Sequence, residues 1–195
     1  MSEAVRDGGP VRRGGRITEP DGRVITWSMA EGSRGRRWRW SVVDRRGVLI
    51  AAHTVELDPD GRFASAESAA AGGIMTLHRE ADGSGSWSLH GNRVAERGID
   101  HLTVPAPAPE VVVVGSGPIA AAIASRGLAK DARTADVVEV GDDLGVRIAE
   151  ASIRRPGADI VEVRTGIVVR RVSLDDDGLP ALDEPSSTSW PLERE

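Results

Sequence analysis

The chain has 195 residues, with 30 acids against 25 bases for a net charge of −5, and it contains no cysteine. This length accommodates one domain or at most two small ones. The missing cysteine excludes a disulfide framework, a thiolate metal site and a cysteine nucleophile, and the acidic balance argues against a nucleic-acid partner. Folding at this size buries roughly 70% of the unfolded surface, so a core forms without staples. Five Trp, one Phe and no Tyr leave Val, Ile, Leu and a few indoles to fill it. The opening MSEAVRDGGPVRRGGR has no apolar core region and so does not read as a secretory signal. No apolar run is long enough to span a bilayer. A cytoplasmic location without integral membrane association is expected; the sequence leaves the oligomeric state open.

Along the chain, residues 1–16 are polar and glycine-rich and read as a disordered arm. Val24–Met29 is a first strand. In Arg36–Asp44, RRWRWSVVD, the two-residue period sends Trp38, Trp40 and Val42 to one face and Arg37, Arg39 and Ser41 to the other. Arg45-Arg46-Gly47 turns the chain into Val48–Leu57, which makes an antiparallel hairpin. Asp58-Pro59-Asp60-Gly61 is a strong turn, since Pro presets φ and Gly tolerates positive φ. Residues 62–71, RFASAESAAA, are ambiguous between a helical turn and a strand. Gly73–Glu80 and Ser86–His90 are strands around the turn Ala81-Asp82-Gly83-Ser84-Gly85, and Ile99–Val104 is a short strand before the proline spacer Pro105–Pro109.

Glu110–Leu128, EVVVVGSGPIAAAIASRGL, reads as a buried strand, a glycine turn and a helix, the only convincingly helical stretch. Ala135–Val140, Gly145–Arg154, Ile160–Arg164 and Ile167–Leu174 are four further strands. Strands at about ten-residue spacing with turn signals between them indicate an antiparallel sandwich, roll or barrel. The tail from residue 183 reads as loosely attached, leaving residues 17–182 as a single domain.

Four constellations carry possible chemistry. Gly115-Ser116-Gly117-Pro118-Ile119-Ala120 fits the G-x-G-x-x-A pattern whose glycines admit a pyrophosphate to a helix N-terminus, with Glu139 placed to hold a ribose. That points to a nucleotide-dependent enzyme using NAD(P) or FAD. Against it, too little chain follows to complete a dinucleotide fold, and Ser116 with Pro118 also suits a plain helix start. Trp38, Trp40 and Trp87 could line an acyl pocket or stack on a sugar, with Arg37 or Arg39 at a polar head; the plainer reading is core for the indoles and a solvated face for the arginines. The histidines, His53, His78, His90 and His101, show no i, i+2 or i, i+4 pairing, so neither a metal site nor a catalytic dyad is expected. Asp175-Asp176-Asp177-Gly178 lacks EF-hand spacing and reads as a turn.

The order of four motifs resembles a little-characterised bacterial glycolipid-binding family. Arg36–Asp44 is similar to its early aromatic strand, and Asp82-Gly83-Ser84-Gly85-Ser86-Trp87 to its D-G-x-G-x-W hairpin. Gly98-Ile99-Asp100, followed by Ala108-Pro109 and Pro118-Ile119, resembles its strand and Asn-Thr-Leu-Pro-Ile turn. Gly166–Pro180 resembles its closing strand and D-x-D-G-L turn. The family's Cys is absent, Gly115 stands at the Asn position, and Ala120-Ala121-Ala122 replace its paired arginines. The resemblance implies an antiparallel β-roll or open barrel wrapped on itself, mostly β with one short helix near residues 118–128. It also implies a non-enzymatic role in binding an amphipathic glycolipid or lipid, with no cofactor and no metal. The ligand-binding candidates are then Trp38, Trp40, Trp87, Arg37, Arg39, Gly115 and Ser116. An interaction module with no small ligand is the third reading.

Overall fold

Strict alternation of apolar and polar residues in the first half builds a sheet with one wet face, whereas continuous apolar runs in the second half build elements buried on both sides. The computed structural model describes residues 11–81, 83–115, 117–127, 134–157 and 159–181. An eight-stranded antiparallel sheet follows chain order: β1 (Val11–Thr18), β2 (Val24–Gly32), β3 (Gly35–Val43), β4 (Leu49–Leu57), β5 (Phe63–Ala70), β6 (Gly73–Ala81), β7 (Trp87–Ala95) and β8 (Gly98–Val104). Strand β9 (Val112–Val114), helix α1 (Pro118–Gly127) and strands β10 (Thr134–Val140), β11 (Val146–Arg154), β12 (Ile160–Thr165) and β13 (Val168–Ser173) follow. Their strands form a curled five-stranded half-barrel in the order β13-β12-β11-β10-β9. The molecule is therefore mostly β with one short helix, as the turn spacing indicates.

Four expectations change. Residues 11–16 are not an arm: they belong to β1, whose Gly14 and Gly15 lie opposite Ser28 and Trp27. Residues 62–71 resolve as β5, because Phe63, Ala66 and Ser68 turn inward between β4 and β6. Strand β7 runs past His90 to Ala95 through Gly91, where a Cβ would lie 2.0 Å from the Thr76 carbonyl oxygen; only glycine permits that approach. The proline spacer, whose composition predicts a rigid extended segment, bends instead: the Ala108 N–H donates to the Trp87 carbonyl and Ala108 joins the core. Residues 1–10 of the expected arm, the tail from residue 183, and Ser116 lie outside the described residues.

The half-barrel also holds the one parallel pairing among the described residues, β9 against β10 in the register Val112↔Val138 to Val114↔Val140. It is made through α1 as a crossover, so β9-α1-β10 is a βαβ unit. Every described helix side chain from Ile119 to Ser125 is at least 93% buried. Ile119 and Ile123, one turn apart, pack with Val112, Val114 and the inner face of the eight-stranded sheet. Ala120, Ala121, Ala122 and Ala124 pack with Val111, Val113, Val137, Val161 and Val163 inside the half-barrel. A helix buried all round needs small residues on the side facing strands, and this explains the alanine run.

Replacing Ala121 by Leu inserts three carbons where no space exists. Urea unfolding should show a loss of about 1–3 kcal/mol, and an unchanged midpoint would mean that the helix does not fill the half-barrel.

Candidate functional site

The inner face of the large sheet is closed. Trp38 is fully buried and Trp40 is 4% exposed. Trp27 and Trp38 lie 5.9 Å apart between ring centroids, and Trp40 stacks at 4.8 Å on His53. Two of the three candidate indoles thus pack into the core. Trp87 is half-buried and carries the Arg79 guanidinium on its ring. Arg37 is exposed but paired with Glu56.

The glycine loop is also closed. Gly115 adopts φ 73°, a conformation that favours glycine, and a Cβ there would stand 3.1 Å from His53 Nε2. A Cβ on Gly117 would meet Ile25 Cδ1 at 3.3 Å. The void where the loop meets the sheet, beside His53, Asp142 and Glu19, holds only about 10 Å³, too little for a phosphate group. Glu139, the candidate ribose ligand, is 1% exposed and spoken for. Its Oε1 accepts from Thr165 Oγ1 and from Arg170 Nη2 at 2.7 Å, and its Oε2 accepts from Arg147 Nε at 2.8 Å. Arg170 completes its fork with Nη1 to Thr165 at 2.7 Å and Nε to the Gly115 carbonyl at 2.8 Å. Burial raises the Glu139 carboxyl pKa, but the hydrogen bonds from Thr165, Arg170 and Arg147 outweigh it and hold the group below the usual carboxylate range.

His53 is 4% exposed, and its Nδ1 lies 2.9 Å from the Oγ of fully buried Ser68. Burial pushes its pKa down to about 4, against a smaller opposing pull from Asp142. Since Ser68 has no access to solvent, this pair is a structural contact and not a nucleophile with its base.

The open surface is the outer face of the eight-stranded sheet. A trough of about 410 Å³ crosses β2 to β5, and its outward side chains are Thr26, Ser28, Arg39, Ser41, Thr54 and Glu67, with Ala52 and Ala69. Arg39 and Glu67 stand two strands apart, on either side of Thr54. Among the described residues neither side chain makes a hydrogen bond or an ion pair. The register then joins this trough to an apolar strip. One transverse row runs Thr26, Ser41, Ala52, Ala69, Ile74, Val94, Ile99 from β2 to β8. Ile74, Val94 and Ile99 are 50%, 49% and 63% exposed.

No family model, curated protein or solved structure matches this chain. A second cavity, of about 690 Å³, lies among the turns that carry Glu31, Asp58, Asp60 and Asp176. Its groups are engaged locally: Glu31 pairs with Arg36, and Asp58 accepts the Arg62 N–H. The acidic run is a turn, since Asp175 Oδ1 accepts the N–H groups of Asp177 and Leu179.

Of the expected site residues, Arg39 and Trp40 line the trough, Trp40 with only 4% of its surface exposed; the hydroxyls and Glu67 are not among the expected residues. Alternation within β3 marks Arg39 and Ser41 as outward, but nothing local marks Glu67, which sits in a stretch that looked half helical.

His53 links stability to pH. Above the ordinary value of 6.5 both states hold it neutral and the protein has its full stability from this group. As pH falls from 6.5 toward about 4, the unfolded chain takes up a proton that the folded protein refuses. Stability should drop by up to about 1.4 kcal/mol per pH unit. Denaturation between pH 6.5 and 5 should show this slope, and His53→Gln should flatten it. Arg170→Met, which leaves Glu139 buried without its inner partner, should cost roughly 3–5 kcal/mol at neutral pH.

Proposed function

We propose that the protein is a non-enzymatic binding protein for an amphipathic ligand, a glycolipid or a lipid with a polar head, taken up on the outer face of the large sheet. The observation that carries this reading is the transverse row itself. Its polar end carries hydroxyls and lies beside an unpaired cation and an unpaired carboxylate, Arg39 and Glu67 of the neighbouring row, the groups that hydrogen-bond a hydroxylated or anionic head. Its other end is aliphatic. From Ala52 on β4 to Ile99 on β8 the row crosses four strand spacings, about 19 Å, room for an acyl chain lying across the strands. The motif order, which resembles that of the glycolipid-binding family, supports the same ligand class, although two of the indoles that would have served as its stacking surface, Trp38 and Trp40, lie inside. Arg39 and Glu67 take the polar head here.

A fluorescent glycolipid or fatty-acid probe tests this. Arg39→Ala should weaken binding about tenfold or more, the cost of one charge-assisted hydrogen bond. Val94→Ser should weaken it too, and both changes lie on an exposed face where stability moves by about 0.5 kcal/mol or less. Equal binding by wild type and both variants, or no binding across lipid classes, contradicts the proposal.

One observation favours a second reading. The parallel β9-α1-β10 unit is the topology that a nucleotide-dependent enzyme would use. Its glycine loop is covered by His53 and Ile25, and Glu139 is committed to Arg170, so a cofactor would have to displace both. Saturating NAD(P) or FAD at 100 times Kd would raise stability by about 2.7 kcal/mol. A cofactor-dependent shift in thermal unfolding would favour this reading over the first; none at millimolar cofactor is expected.

A further inference from the structure

The transverse row does not stop at Thr26. It continues onto the edge strand β1 at Arg16, which lies opposite Thr26 and is exposed. Along the same face of β1 come Gly14 and then Arg12, opposite Ser28 and Ala30. On the other side of β2, Ser41, Arg39 and Arg37 of β3 stand opposite Thr26, Ser28 and Ala30 in turn. The small outward side chains of β2 thus lie between two columns of arginine, Arg12 and Arg16 on β1 and Arg37 and Arg39 on β3. Thr26, Ser28 and Ala30 are all exposed, so the floor between the columns is open to solvent.

In a chain of net charge −5 this end of the sheet is basic. Across the outward positions of β1 to β5, four arginines stand against two glutamates, Glu56 and Glu67. Glu56 is occupied by Arg37. Arg12 and Arg16, like Arg39, have no side-chain hydrogen bond or ion pair among the described residues. Glu67 is two strand spacings from Arg39, about 10 Å, a distance comparable to the screening length in physiological salt. Arg16 and Arg39 stand diagonally across Thr26 and Ser28, about 12 Å apart between backbones from two strand spacings and one row. Two guanidinium groups on long side chains can close that gap around one oxyanion, and the planar fork of each matches a phosphate or carboxylate. The Thr26 and Ser28 hydroxyls can donate to the same oxygens. A neutral sugar would leave both cations without a counter-charge.

We propose that the amphipathic ligand of the outer face is an anionic single-chain lipid whose phosphate or carboxylate head sits between Arg16 and Arg39, with its chain running over Ala52 and Ala69 toward Ile99. This assignment rests on the outer face being the binding surface.

The test is calorimetric titration of the full chain with decyl phosphate and with decyl glucoside, each below its micelle concentration, and with inorganic phosphate as a third ligand. Decyl phosphate should bind at least about tenfold tighter than the glucoside, the effect of one charge-assisted hydrogen bond. Rising salt should weaken the phosphate and spare the glucoside. Arg16→Gln should lower affinity for decyl phosphate about tenfold and leave the glucoside unchanged. Val94→Ser should weaken both. Inorganic phosphate, which has no chain to bury, should bind at least about tenfold more weakly than decyl phosphate. Equal affinity for the two heads, or a phosphate preference that survives Arg16→Gln, overturns the anionic head while leaving an amphipath site on the outer face. Inorganic phosphate binding as tightly as decyl phosphate overturns the lipid. If neither amphiphile binds, the outer face is not the binding surface and the assignment falls with it.

Discussion

The Arg170 guanidinium, buried where the half-barrel closes, donates to the main-chain carbonyl of Gly115 while its other two nitrogens hold Thr165 and Glu139. A buried cation is tolerable only when its charge and every N–H direction are met, and here β10, β12 and the β9–α1 loop meet them together. The loop so held sets the start of α1. The helix in turn fills the half-barrel with alanines and offers Ile119 and Ile123 to the large sheet. Leu144, fully buried at φ 62° in the turn after β10, is kept in that uncommon conformation by the same packing. A glycine loop that resembles a phosphate cradle thus serves as a joint between two sheets.

This joint decides where a ligand can go. With α1 and the glycine loop pressed against Ile25, Trp40 and His53, the inner face of the large sheet has no room. The outer face is left to solvent and is not uniform. Its Arg37–Glu56 pair is neutralised, its Arg39 and Glu67 are not, and Ile74, Val94 and Ile99 stand side by side at the β6–β8 end. Scattered exposed aliphatics are ordinary on protein surfaces. A row in which hydroxyls, then alanines, then Ile74, Val94 and Ile99 follow one another across seven strands has the polarity gradient of an amphipathic molecule.

The strands were legible wherever large apolar residues alternate with charged ones, as in Trp38-Arg39-Trp40. They were not legible where the residues are small. Ala64–Ala70 in β5 has too little volume to show a period, and Gly14-Gly15 in β1 looked like an arm until paired with β2. The strand, glycine turn and helix around Gly115 were read correctly as local elements, but their meaning depended on Arg170, 55 residues away. The same holds for the histidines. His78 and His90 are 12 residues apart and meet only because the β6–β7 hairpin fixes their register. Spacing rules along one strand or helix cannot find such a pair.

Backbone amide NMR of the isotope-labelled chain, titrated with an alkyl glucoside below its micelle concentration, tests the central claim most directly. Shifts should concentrate at Ser41, Ala52, Ala69, Ile74, Val94 and Ile99 and at Arg39 and Glu67 beside them, with Gly115 and Gly117 unmoved. Shifts centred on the glycine loop, or none on the transverse row, would contradict it.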